Sequence, residues 1–141
     1  MSRFEKDNRQ KYLNEIIGNL EEYSYRSKRY HINYAVALCF CAKDISLNEL
    51  VTVKRKTDRY ITLESNLCCV VFDCIDAESS KRAAQNLKTE VEESCLGQDF
   101  FIHVATSLEY ESPLKLTNSL FVKLEEFLET LKSEDNLVIN G

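Results

Sequence analysis

The sequence predicts an α+β domain: an antiparallel sheet of four strands with helices packed on it, plus one helix at each end of the chain. Three observations carry this expectation. Residues 32–41, INYAVALCFC, alternate large and small side chains and are mostly apolar on both faces, like a central strand covered from both sides. Two short apolar runs, RYITL and LCCVVF, flank the polar ESN at 64–66, the pattern of a β-hairpin. Helical stripes fall between and after these runs rather than in one block.

Each element follows from its own pattern. Over residues 3–29, Leu13, Ile16, Ile17, Leu20 and Tyr23 recur at three and four residues, giving one apolar helical stripe. Gly18 costs that helix about 1 kcal/mol relative to Ala. In the strand at 32–41, Ile32, Tyr34, Val36, Leu38 and Phe40 share one face. Ala35, Ala37, Cys39 and Cys41 share the other, where small side chains let a helix approach. Asp44 or Ser46 can cap a short helix carrying Leu47, Leu50 and Val51. Hairpin strands follow at about 59–63 and 67–74, with Ser65-Asn66 as the turn and Asn66 suited to the left-handed conformation.

The helix at 76–96 starts at an Asp76 cap, buries Ala83, Ala84, Leu87, Val91 and Cys95, and stops at Gly97. FFIHVATSL, 100–108, is a strand. Ser112-Pro113 opens the last helix with Pro in its first position, and Leu120, Phe121, Leu124, Phe127, Leu128 and Leu131 form its stripe. DNLVI, 135–139, reads as a short closing strand. The middle elements run βαββαβ, the ferredoxin-like or palm arrangement. The chain divides into an N-terminal helix, 1–30, suited to signalling or dimerisation, and a domain, 31–141.

Composition narrows the function. With 141 residues, 44% hydrophobic and 29% charged, the chain can bury a core and is not of disordered type. A net charge of −5 argues against nucleic acid as a partner, although local Arg and Lys can still hold an anion. There is no apolar leader at the N-terminus, and no apolar run reaches the roughly 18–20 residues of a membrane span. A soluble, cytoplasmic protein is expected. The six cysteines are spaced C-x-C and C-C, without C-x-x-C and without paired histidines. They read as reduced core residues, and no metal or other cofactor is expected. Cys68, beside the turn, is the thiol to check for reactivity. His31 and His103 are solitary, and no catalytic pairing is legible.

This order of elements resembles a GGDEF domain, the diguanylate cyclase fold, over roughly residues 10–140. The resemblance rests on the hairpin. Arg55-Lys56-Thr57-Asp58 matches the family's Arg-x-x-Asp inhibitory motif, and RYITL separates it from the turn by the family's five residues. CVVFDCIDAESSKRAAQNLKTEV, FFIHVATSLEYES and DNLVI are similar to the elements that follow the signature. The signature itself has changed. Glu64, Ser65, Asn66, Leu67 and Cys68 stand where the family has Gly, Gly, Asp, Glu and Phe.

The family holds two Mg²⁺ with carboxylates from the first strand's end and from the signature turn. Here the first strand ends CFCAK, and thiols are poor Mg²⁺ ligands. Glu64 is out of register with the family's acidic pair. The segment from Cys41 to Arg55 is short, so the substrate-cradling loop and helix look largely deleted. The resemblance therefore implies a degenerate, catalytically inactive domain with no catalytic residue, acting in regulation through a protein partner or a homodimer. The stripe of Tyr12, Leu13, Ile16, Ile17, Leu20 and Tyr23 is the candidate interface. A second reading is a cyclic di-GMP receptor: Arg55 forks onto phosphate or a guanine edge and Asp58 accepts from guanine N–H groups. A third is an unrecognised enzyme on the ferredoxin-like fold.

Overall fold

The computed structural model describes residues 6–42, 59–73 and 100–140, together with 76, 78–79, 81–83, 85–86 and 88–89. After a 3-10 turn at Lys6–Asn8, helix α1 spans Arg9–Tyr30. It ends because His31 turns into the left-handed region (φ 58°) and its N–H donates to the Ser27 carbonyl at 3.0 Å. Strands β1 (Tyr34–Cys41), β2 (Arg59–Glu64), β3 (Leu67–Asp73) and β4 (Phe100–Thr106) follow, and then helix α2 (Pro113–Asn140). The Ser112 hydroxyl accepts from the Lys115 N–H at 3.2 Å, and its carbonyl from the Leu116 N–H, so Pro113 begins α2 as its rigid φ favours.

The described residues of 78–89 are helical. Their start is capped as the sequence suggests: the Ser79 N–H donates to Asp76 Oδ1 at 2.7 Å. The expected short helix at 44–51 and the stop at Gly97 lie outside the described residues.

The sheet runs β2-β3-β1-β4 with every neighbour antiparallel. This is the strand order of a split βαβ pair, with β1 in the centre. Every residue of β1 is buried. Tyr34, Val36, Leu38 and Phe40 meet the stripes of α1 and α2 on one face. Ala35, Ala37, Cys39 and Cys41 lie on the other with Cys68, Val70 and Phe72, and Ala83 packs against them. Period-2 alternation thus serves two layers at once. The two end helices are joined by a Tyr12–Phe121 stack, centroids 6.2 Å apart, and by Arg9, which reaches Glu125 at 2.6 Å and Asn118 at 2.9 Å.

One expected element is replaced. Residues 135–139 are not a closing strand; their backbone continues α2. Leu137-Val138-Ile139 has strand propensity, but no Gly or Pro interrupts the chain between Pro113 and Asn140. Each added helical residue gains a hydrogen bond at little nucleation cost, so the helix runs on. Among the described residues, no helix is long and apolar enough to cross a membrane.

Candidate functional site

Two local features shape the hairpin tip. β2 pairs with β3 regularly from Arg59↔Val71 to Thr62↔Cys68, and then skips to Glu64↔Leu67. Leu63 is the extra residue of a β-bulge, and bulges re-aim side chains. Without it, Glu64 would share the face of Tyr60 and Thr62. Opposite Leu67, it shares instead the face of the α1/α2 core, where Leu67 and Leu63 pack. Glu64 is only 7% exposed. The bulge therefore turns the one carboxylate of the turn away from the small-residue face.

The second feature is Asn66. Its carbonyl accepts from the Cys41 N–H at 3.1 Å, and its Nδ2 donates to the Cys41 carbonyl at 3.1 Å. Asn66 is 3% exposed and Cys41 fully buried. The turn is thereby closed onto the end of the central strand. Asn66 is not in the left-handed conformation the sequence suggested. Among the described residues His31 is the non-glycine residue at positive φ. Asn66 occupies the turn for its side-chain amide, not for backbone tolerance.

Ser65 forms the turn with Asn66, and Leu67 and Cys68 open β3 as buried residues. Cys68 is not an exposed thiol. It lies opposite Cys39 in the register, on the face of Cys41, while Cys69 points into the α1/α2 core. Cys39, Cys41, Cys68 and Cys69 are free thiols. A hydrogen bond from Cys39, against the opposing effect of burial, holds the Cys68 thiol below its ordinary pKa, with Tyr60 assisting. The same hydrogen bond, then burial, pushes Cys39 well up. Burial and the neighbouring Cys68 push the Tyr60 hydroxyl up. That hydroxyl is buried without a well-formed hydrogen bond. Sequence reasoning marked Cys68 but not its pairing with Cys39, which depends on how β1 registers against β3. Among the described residues no group of three His, Cys, Asp or Glu is placed to hold a metal.

Arg55 and Asp58 lie outside the described residues. The residue after them begins β2 and is anchored. Arg59 Nη1 donates to the Asn19 carbonyl at 3.4 Å, Nη2 lies 3.7 Å from Glu22, and the guanidinium sits 5.4 Å from the Tyr23 ring centre. Arg26 lies over the same ring at 4.8 Å. Arg59 thus ties the start of β2 to α1. Of the candidate interface, Tyr12, Leu13, Ile16, Leu20 and Tyr23 are buried in the chain's own core and Ile17 packs against it. Solvent instead meets Tyr25 and Tyr30, each more than half exposed.

The sequence matches no family model and no curated protein. Among solved structures it is similar to a DGC protein from Thermotoga maritima. The identity is 14% and the TM-score 0.60, over 79% of this chain and 90% of that one. The fold is therefore the GGDEF-like, ferredoxin-type α+β fold, four antiparallel strands flanked by helices.

Proposed function

We propose that this chain is a GGDEF-like domain that does not cyclise GTP and acts in regulation through protein contact. DGC is the usual abbreviation of diguanylate cyclase, so the neighbour supports the cyclic di-GMP context of the fold. The observation that carries the loss of chemistry is the closure of the turn by Asn66 on Cys41. A cyclase of this fold needs carboxylates at the strand end and at the turn to hold Mg²⁺ against the triphosphate. Here the strand end is a buried thiol, the turn amide is occupied by the backbone of β1, and Glu64 is turned to the opposite face. With the stripe of α1 occupied inside the molecule, its solvent side is the contact surface. Tyr25 and Tyr30 supply amphipathic area there, and Arg29 lies 5.7 Å from the Tyr30 ring.

Incubation of the full chain with GTP and Mg²⁺ or Mn²⁺, followed by ion-exchange chromatography, tests the first half. No linear or cyclic dinucleotide should form; a turnover that scales with protein concentration rejects the reading.

A second reading is favoured by one observation. β2 starts at Arg59, directly after Asp58 in the sequence, and Arg59 itself is tied to α1 through the Asn19 carbonyl and Glu22. Arg55 and Asp58 would then bind cyclic di-GMP, the Arg on phosphate or guanine and the Asp on guanine N–H groups. Calorimetric titration decides this. Binding in the micromolar range that Arg55→Ala abolishes supports the receptor, and silence in the wild type rejects it.

A further inference from the structure

The small-residue face of the sheet brings two of the thiols together. Cys39 in β1 and Cys68 in β3 are register partners, so their side chains leave the same face directly opposite one another. Antiparallel partners have Cα atoms about 5.5 Å apart in a hydrogen-bonded pair and about 4.5 Å in the other kind. Both spacings fall within the range a disulfide spans. Both thiols are free, and each perturbs the ionisation of the other. Their neighbours do not compete. Cys69 faces the other layer, opposite Leu38, and Cys41 lies two residues along the strand, opposite Phe100 of β4 and bonded to Asn66.

We propose that Cys39 and Cys68 are a modification site: a cross-strand dithiol that a peroxide converts reversibly to a disulfide, pinning the central strand to the hairpin. The Cys68 sulfur attacks one peroxide oxygen. The O–O bond breaks, Cys68 becomes a sulfenic acid, and the other oxygen leaves as water with the thiol proton. The Cys39 sulfur then attacks the Cys68 sulfur. The S–O bond breaks, and the hydroxyl leaves as a second water with the Cys39 proton. Two electrons pass from the thiols to the peroxide, and a dithiol reductant reverses the change. Cys68 is the first to react because Cys39, and then Tyr60, favour its thiolate against the opposing effect of burial, while Cys68 and then burial both disfavour that of Cys39. Both sulfurs are buried, so the oxidant enters when β2, the edge strand among the described residues, opens beside half-buried Tyr60. The reaction is therefore slow compared with that of an exposed thiol, and it is selective.

The full-length reduced chain is treated with hydrogen peroxide, alkylated in the native state and after denaturation, and mapped by mass spectrometry with and without dithiothreitol. One linked peptide pair containing Cys39 and Cys68, lighter by two hydrogens and released by the reductant, is expected. Cys39→Ala and Cys68→Ala should each abolish it, and circular dichroism reports whether those variants fold. The wild-type map decides alone if they do not: any different linkage, or both thiols still free once other cysteines of the chain are oxidised or peroxide reaches sulfonating doses, overturns the proposal. Because the readout is a mass, the result is independent of whether the chain binds or turns over a nucleotide.

Discussion

At the scale of single residues, Asn66 is the side chain on which the shape of the site turns. Its amide donates to the carbonyl of fully buried Cys41, and it is itself 3% exposed. Asn66→Ala removes the donor and leaves the Cys41 carbonyl short of a partner in a place water cannot easily reach. A loss of about 1–3 kcal/mol is expected in urea unfolding, the cost of a buried group left unsatisfied. A change within noise would mean the turn is not held by this bond. His103 gives a pH signature. It sits on β4 opposite Leu38, under α2. Burial, then the Lys123 charge, hold its imidazolium form down, with Glu109 and Glu126 opposing. Its folded pKa is thus below the ordinary histidine value of about 6.5, and the unfolded chain takes up the proton first. The stabilising contribution is complete above that value and is lost as pH falls toward and through the depressed folded pKa. Urea midpoints at about pH 7.5 and about pH 5.5 should separate less for His103→Gln than for the wild type. Equal separations count against the assignment. Individual residues were legible where their role is local. The Asp76 cap, Pro113 in the first turn of α2 and the two faces of β1 can be read from neighbours a few positions away. The roles of Asn66 and the Cys39–Cys68 pair could not, because each depends on a β1–β3 pairing across 25 residues or more, and that of Glu64 could not because it depends on a bulge at Leu63 that shifts its register against Leu67.

At the scale of elements, the pairing of α1 with α2 is what distinguishes this arrangement from a bare sheet with crossover helices. The sequence marks both stripes, but says nothing of their meeting, since α1 and α2 lie at opposite ends of the chain. The contact is apolar at its centre, with Tyr12 stacked on Phe121, and polar at its rim, where Arg9 bridges Glu125 and Asn118. Arg9 and Glu125 are each about one-third exposed or less, so their attraction is only partly screened. A double-mutant cycle on Arg9→Ala and Glu125→Ala should return a coupling of about 0.5–1 kcal/mol, reduced by added salt. No coupling, or one indifferent to salt, would show that Arg9 acts by packing alone. The misread closing strand belongs at this scale too. LVI has the composition of a strand, yet strand formation needs a free edge brought alongside it, whereas α2 needs only to continue. A local pattern cannot weigh that competition.

For the whole molecule, the sheet is covered on both faces, and the two layers differ in grain. In β1, the face under Ala83 carries Ala35, Ala37, Cys39 and Cys41, while the face under α1 and α2 carries Tyr34, Val36, Leu38 and Phe40. α1 is therefore part of the fold's covering, whatever else its solvent side contacts. Removing residues 1–30 uncovers the large-residue face. It takes away five buried side chains, Tyr12, Leu13, Ile16, Leu20 and Tyr23, of which four are large apolar or aromatic groups at 4% exposure or less. Burying one such side chain contributes about 1.5–3 kcal/mol, so the loss rivals the whole stability of about 5–15 kcal/mol that a domain of this size carries. The bare face would also be an apolar patch of the kind that drives association. A chain of residues 31–141 should accordingly be aggregated or molten, binding a hydrophobic dye and melting without a cooperative transition. Adding residues 1–30 as a separate peptide should restore part of the transition, because the missing surface is one continuous helix. A cooperatively melting monomer of 31–141 would show instead that the helix is an appended module, free to signal without unfolding what it leaves behind.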